Sequence, residues 1–375
     1  MIAAPAAAAP AATALLTWTA AAAPLSRKGP TAAWSTASAR TIPLIALAAW
    51  CSRHRQCKRP HMAAVATRSL VKDSGLLLIE HLNLNVSSTP VALEFYEALG
   101  CRRDARRPMT KTLHSNCGAL TQFHTPSPEN EAFIAGAGPQ QWRGCIELRY
   151  ADVSQLRAAE ERLRRLQEQE HFRDTCLAVE WQEDLQELRL RGPYGNSFRL
   201  SVATEELAAG LRPGTGRPGS EGCQVLGMAA LTLQVPVGAA APGANFYAEM
   251  LGCAVEERPN GAWAVLGGPM QVQELLLEEQ EGCTGKELGE HMAIYVRDFD
   301  ACFERLLARG LIWVNPRFVH LDKSTTLEEA QHYSCFRFKD VVDLSSGKKL
   351  FELEHEDFRL VPSVTFRQLD LPNEP

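Results

Sequence analysis

The phrase FYEALGC at residues 95 to 101 returns, one residue longer, as FYAEMLGC at residues 246 to 253. Two copies about 150 residues apart signal duplicated domains rather than turns of a solenoid, whose period runs ~20–50 residues. What precedes one copy should then precede the other, and it does. In LLLIEHLNLNV, period-2 alternation puts Leu82, Leu84 and Val86 on one strand face and His81, Asn83 and Asn85 on the other. Ser88 or Thr89 can cap a helix with Pro90 at its first position and Gly100 just past its end. In the second copy, Leu231, Leu233 and Val235 alternate with Ala230, Thr232 and Gln234 before a helix that stops at Gly252.

Each copy is followed by a strand-rich stretch and then by another strand-helix unit. Asp152 stands at a cap position before the helical stripe Val153, Leu156, Ala159, Leu163 and Leu166. Asp298 stands likewise before Phe299, Cys302, Phe303 and Leu306. Closing strands follow in LRLRGPYGNSFRLSVA and FRFKDVVDLSSGKKLFELEHE. The order βαβββ therefore occurs four times. Residues 204 to 224 are rich in Gly and Pro and read as a linker. Residues 76–203 and 225–360 are expected to form two eight-stranded halves of α+β class, each with its own cleft.

With a His at the first strand, an FYxxxLG helix end and a GPYGNSFRL closing strand, the chain resembles the vicinal oxygen chelate superfamily of glyoxalases, bleomycin-resistance proteins and extradiol dioxygenases. The resemblance spans residues 76 to 360. It implies two tandem glyoxalase-like domains, each built of two βαβββ modules curled around a cleft, with metal ligands on the first and last strands of each module. Many chemistries share this scaffold, so the reaction has to be argued from the site.

Carried over to domain one, the four ligand positions hold His81, Gln122, Cys145 and Arg199. Arg199 stands where a closing carboxylate is usual, and a fixed cation there repels a divalent metal. No conventional metal site is expected in this domain. His81, Asn83, Gln122, His124 and Arg199 could form a polar pocket in which Arg199 holds an anionic group, or be satisfied polar side chains without a ligand. In domain two the positions hold Ala230, Glu274, His291 and Glu352. The resemblance to glyoxalase I makes Glu274, His291 and Glu352 the expected metal set, for Zn, Ni, Mn or Fe(II), with Glu352 or Glu274 as the base of a lyase or isomerase acting on a small oxygenated carbonyl compound. Two alternatives stay open. Gln273 could face the cleft in place of Glu274, and Glu352, Glu354 and Glu356 alternate as a solvated strand face does. An iron(II) dioxygenase needs two imidazoles and a carboxylate, and domain two supplies one imidazole, so that chemistry ranks lower. A non-catalytic binding or structural protein is the other class. The long stretch 317–334 is a candidate lid, with His320, His332 and Tyr333 as contacts.

Before Asp73 there is no Asp or Glu, against nine Lys or Arg. This acid-free segment, residues 1 to 72, reads as an organelle transit peptide, plastid or mitochondrial, or as an extension upstream of a start at Met62 that would leave the protein cytoplasmic. Without it, 30 basic residues face 44 acidic ones, a net charge of −14 that repels nucleic acid. No stretch reaches the ~20 apolar residues of a membrane span. Eleven cysteines without a CxxC pair argue against a zinc ribbon and a disulfide framework. A small-molecule ligand remains as the partner class, with the chain a monomer whose domains pair or a homodimer; residues 361–375 read as a tail.

Overall fold

The structure, a computed structural model, describes residues 74–359 apart from 108–111, 127–137, 213–216, 218, 288 and 320–321. The acid-free segment, His320 and the tail lie outside the described residues.

The first module runs β1 (Leu76–Asn83), α1 (Thr89–Ala98), β2 (Arg102–Arg103), β3 (Thr112–Cys117) and β4 (Thr121–Pro126). The second runs β5 (Gly144–Tyr150), α2 (Val153–Glu168), β6 (Ala178–Gln182), β7 (Glu187–Arg191) and β8 (Ser197–Val202). A short helix, α3 (Glu205–Leu211), capped by Thr204, occupies the start of the expected linker. The third module runs β9 (Val225–Val235), α4 (Ala240–Leu251), β10 (Ala254–Glu257), β11 (Trp263–Gly267) and β12 (Gln273–Glu279). The fourth runs β13 (His291–Val296), α5 (Phe299–Ala308), α6 (Leu327–Tyr333), β14 (Cys335–Val342) and β15 (Lys349–Arg359).

Local signals act where the sequence placed them. The Ser88 side chain accepts from the Val91 N–H at the start of α1, and the Asp152 side chain accepts from the Gln155 N–H at the start of α2. Gly252 ends α4 at φ 71°, a left-handed conformation that glycine adopts without a Cβ penalty. Leu156, Ala159, Leu163 and Leu166 of α2 and Phe299, Cys302, Phe303 and Leu306 of α5 are buried against the strands.

Each sheet contains two modules, but not the two of one sequence half. The seven-stranded sheet has the order β14-β15-β13-β1-β4-β3-β2, and the eight-stranded sheet β10-β11-β12-β9-β5-β8-β7-β6. The first module thus pairs with the fourth through antiparallel β1 and β13, and the second with the third through antiparallel β5 and β9. This corrects the expectation of one cleft per sequence half. Hydrophobic alternation decides which face of a strand is buried and is indifferent to which edge it meets. Side chains then tie the two sheets to each other: the Gln273 amide on β12 accepts from the Ile79 N–H and donates to the Ile79 carbonyl, and Arg143 donates to Glu290 at 2.9 Å. Seven strands replace eight in the first sheet: among the described residues after α5, pairing is through the bridge Ile312 to Phe338.

Candidate metal centre

Period-2 alternation sends His81 and Asn83 of β1, Gln122 and His124 of β4, His291 of β13 and Glu354 and Glu356 of β15 to one face of the seven-stranded sheet. Register places His81 beside Gln122 on one side and Ala293 on the other, and Ala293 beside Glu356. His81 and Glu356 are therefore two strands apart, with only the methyl of Ala293 between them. Across that gap His81 Nε2 lies 3.4 Å from Glu356 Oε2. His291 Nε2, from the next row, lies 3.4 Å from the same oxygen.

A bulge prepares His81. Pairing of β1 with β13 slips between Ile79 and His81, which makes Glu80 an extra residue and brings it to the side of its neighbour. Glu80 Oε2 contacts His81 Nδ1. A carboxylate on one imidazole nitrogen keeps the proton there and leaves the lone pair of the other free, the arrangement behind metal-ligating histidines. In His81 that free nitrogen is Nε2, aimed at Glu356.

Glu356 is fixed from the other side. Its Oε1 meets Arg337 Nη2, while Arg337 also donates to Asp322 at 2.9 Å and to Glu354 at 2.9 Å. Glu354, fully buried, takes Asn315 Nδ2 at 2.7 Å and Arg317 Nη2 at 3.2 Å besides. Burial alone would raise the Glu356 carboxyl, but Arg337 and the two imidazoles outweigh it and hold it well below the ordinary carboxylate range. Burial pushes His291 down, against the pull of Glu354 and Glu356, which favours the neutral ring that a metal requires. Asp322, Glu354, Glu356 and Glu80 face Arg337, Arg317 and Arg217, four carboxylates against three guanidiniums, so the cluster carries residual negative charge.

The wall of the site is polar. His124 stacks on His81 with ring centres 3.7 Å apart, and Gln122 Oε1 lies 2.8 Å from His124 Nε2. His114 meets His124 edge-on at 4.2 Å. Burial pushes His124 well down and His114 to about 4, so neither ring is charged at neutral pH. Phe318 packs edge-on against His291 at 5.7 Å and under Arg337 at 4.7 Å. Within the stretch expected to form a lid, Phe318 and Asp322 pack at the floor of the site. His332 and Tyr333, at the end of α6, are exposed.

His81, His291 and Glu356 offer ligand atoms within 4.8 Å of one another. Tetrahedral ligands at ~2.1 Å from one ion stand about 3.4 Å apart, and the two nitrogen-to-oxygen separations match that spacing. The donor set suits a divalent transition metal. His291 Nδ1 is buried without a hydrogen-bond partner, so this second imidazole lacks the support His81 receives. Asp322, Cys335 and Glu356 also lie close together, but Arg337 already bridges both carboxylates there.

The expected trio does not assemble. His291 and Glu352 lie on the seven-stranded sheet, whereas Glu274 lies on β12 of the other, bound to Arg258 at 2.5 Å. Glu352 takes Lys349 at 2.7 Å, four residues before the carboxylate that reaches the imidazoles. Gln273, the alternative to Glu274, faces the buried side and bonds to Ile79. Of the five residues expected to line a pocket in domain one, His81, Asn83, Gln122 and His124 do gather, on β1 and β4. Arg199 lies on β8 of the other sheet, paired with Glu147.

Register explains the separation. The row Gln122, His81, Ala293, Glu356 has its counterpart in Glu274, Ala230, Glu147, Arg199 of the eight-stranded sheet. There Ala230 replaces the first imidazole, Arg199 replaces the carboxylate, and Cys145 stands where His291 does. Glu147 fills the gap left by Ala293 and binds Arg149 at 2.8 Å. Sequence reasoning missed Glu356, although its alternation with Glu352 and Glu354 puts all three on one face. It also missed Glu80, Arg217 and Arg337, for which no spacing signal exists.

No protein-family model matches the sequence, and no curated relative matches it. Solved structures do. A Bacillus subtilis protein assigned as a dioxygenase aligns over 76% of this chain and 86% of its own at 13% identity and a TM-score of 0.47. A glyoxalase I variant from Zea mays aligns over 76% and 94% at 13% identity, with a TM-score of 0.43. A lactoylglutathione lyase from Agrobacterium tumefaciens aligns over 34% of this chain and 93% of its own at 15% identity, with a TM-score of 0.24. The architecture itself rests on the strand order: four strand-helix-strand modules paired into two mixed sheets, the α+β arrangement expected from the sequence.

Proposed function

We propose that the protein holds one divalent metal ion on His81, His291 and Glu356 and acts there on a small oxygenated molecule as an iron(II)-type oxygenase. The observation that carries this reading is the convergence of two imidazoles and one carboxylate on a single point. Two His and one carboxylate with open positions are the donor set of non-haem iron(II) oxygenases, and an iron held on His81, His291 and Glu356 would supply oxygen-activating chemistry at this site.

The chain's own residues do the rest. Glu80 holds the His81 ring so that Nε2 faces the site, and Arg337 turns Glu356 so that Oε2 does. Neutral His124 and His114, with Gln122, make a wall that can hydrogen-bond an oxygenated substrate without adding charge. The requirement for two imidazoles, which had set this chemistry below a lyase, is met because the first and fourth modules share a sheet.

A lyase of the glyoxalase kind is less well supported. It needs a carboxylate beside the metal to move a proton. Glu274 and Glu352 are held by Arg258 and Lys349, and the near carboxylates Glu354 and Glu80 are held by guanidiniums and by the ligand imidazole.

The test is anaerobic loading of the purified protein with Fe(II), followed by metal analysis and by electron paramagnetic resonance of the nitric oxide adduct. One iron per chain and a nitrosyl signal are expected, both lost in His81→Ala, His291→Ala and Glu356→Ala. A chain that takes up no iron, or keeps it after His81→Ala, refutes the reading.

A further inference from the structure

Arg217 belongs to the connection between the second and third modules, remote in sequence from every candidate ligand. Its backbone N–H donates to the Ala119 carbonyl at 2.8 Å, and its Nη2 reaches the Leu120 carbonyl at 3.4 Å, which anchors it against the turn between β3 and β4. The same Nη2 pairs with Glu80 Oε1, while Glu80 Oε2 contacts His81 Nδ1. The Glu80 side chain is 8% exposed, so water does little to hold it. Its two oxygens are thus divided between a guanidinium from the connection and the nitrogen behind the proposed ligand atom.

We propose that Arg217 is a positioning residue for the metal centre: by pinning Glu80, it holds His81 in the tautomer and orientation that present Nε2 to the ion. This inference rests on the metal reading above and adds that a connecting segment between modules sets the quality of one ligand. The physical argument is one of direction. A carboxylate has several rotamers, and only those that keep Oε2 against Nδ1 leave the proton there. Arg217 selects them by holding the opposite oxygen, and a charge-assisted pair of this kind is directional as well as strong. A supporting carboxylate behind a metal-bound histidine is worth about 10–100-fold in metal affinity, and a residue that orients the carboxylate should command part of that range.

The test compares wild type with Arg217→Met, which keeps an unbranched apolar stem and removes the charge, and with Arg217→Lys, which restores it. Arg217→Gln stands in should the methionine variant fail to fold. Two readouts are taken. Nitrogen-15 resonances of the His81 ring in metal-free protein report which nitrogen carries the proton, and competition with a chelator reports affinity for Fe(II). Expected are a ring protonated at Nδ1 in wild type, a shift of population toward the Nε2–H form in Arg217→Met, an affinity loss of about tenfold or more, and recovery of both in Arg217→Lys. An Arg217→Met protein with an unchanged His81 tautomer overturns the proposal, whether or not metal binds. Should wild type take up no metal while the tautomer still shifts, the metal reading fails and the positioning of His81 by Arg217 stands.

Discussion

Ala293 has the smallest side chain in the row that joins His81 to Glu356, and the proposed metal centre depends on its size. It is fully buried, and its methyl lies between two groups that must meet across it. His81 Nε2 and Glu356 Oε2 stand 3.4 Å apart. A leucine carbon placed in that gap needs ~3.5 Å from each of them, which drives them to about 7 Å. Two bonds of ~2.1 Å span at most about 4.2 Å. Ala293→Leu should therefore abolish stoichiometric metal binding rather than weaken it by a few fold. Its overpacking should lower stability by about 1–3 kcal/mol, short of unfolding the chain. Ala293→Gly leaves the gap open and should keep the metal at a stability loss of about 0.5–1 kcal/mol. Calorimetric titration with Fe(II) or Zn(II), beside a denaturant melt of each variant, measures both quantities. A folded Ala293→Leu protein that binds one ion with wild-type affinity would refute the placement of the centre across this row. Glu147, which occupies the corresponding gap of the other sheet, is the natural version of the same experiment, with Ala230 where the first imidazole would be and Arg199 where the carboxylate would be.

Arg337→Met should destabilise the protein by about 3–5 kcal/mol in urea melts, because it leaves Asp322, Glu354 and Glu356 buried together without their shared cation; a loss below ~1 kcal/mol would show that the pairing matters little. Burial, with Glu354 nearby, pushes the Glu287 carboxyl up to about 7 from an ordinary 4.5. The folded protein then binds the proton more tightly than the unfolded chain, so this group's stabilisation is full below pH 4.5 and is lost as pH rises through 7. Glu287→Gln should flatten the melting temperature between those pH values, and an unchanged slope would count against the burial account. Gly118 sits at φ +73° where a Cβ would run into the Leu226 carbonyl oxygen of the neighbouring sheet, so Gly118→Ala should lower the melting temperature by several degrees; a neutral result would mean that the bridge from Gly118 to Gly227 is dispensable.

Much of this architecture is written locally. The alternation of Leu82, Leu84 and Val86 with His81, Asn83 and Asn85, the caps at Ser88 and Asp152 and the stop at Gly252 each depend on neighbours within a few residues. They determine strands, helices and faces without knowledge of the rest of the chain. Their fourfold recurrence determines the α+β module, and the residues that face a cleft were legible for the same reason. His81, Gln122, His124 and His291 all point where alternation sends them.

Which cleft each residue enters was decided only in three dimensions. All four modules present similar apolar faces, so pairing first with second or first with fourth buries similar surfaces, and periodicity cannot choose between them. The choice is expressed in long-range pairings, β1 with β13 and β5 with β9, whose partners lie far apart in sequence. It moves Glu274 away from His291 and brings His81 to it, turning an incomplete lyase set into two imidazoles and a carboxylate. Within β15, alternation put Glu352, Glu354 and Glu356 on one face but left open which would face the imidazoles. That selection was made by the cations around them: Lys349 takes the first, Arg337 and Arg317 take the second, and Arg337 turns one oxygen of the third toward His81 and His291.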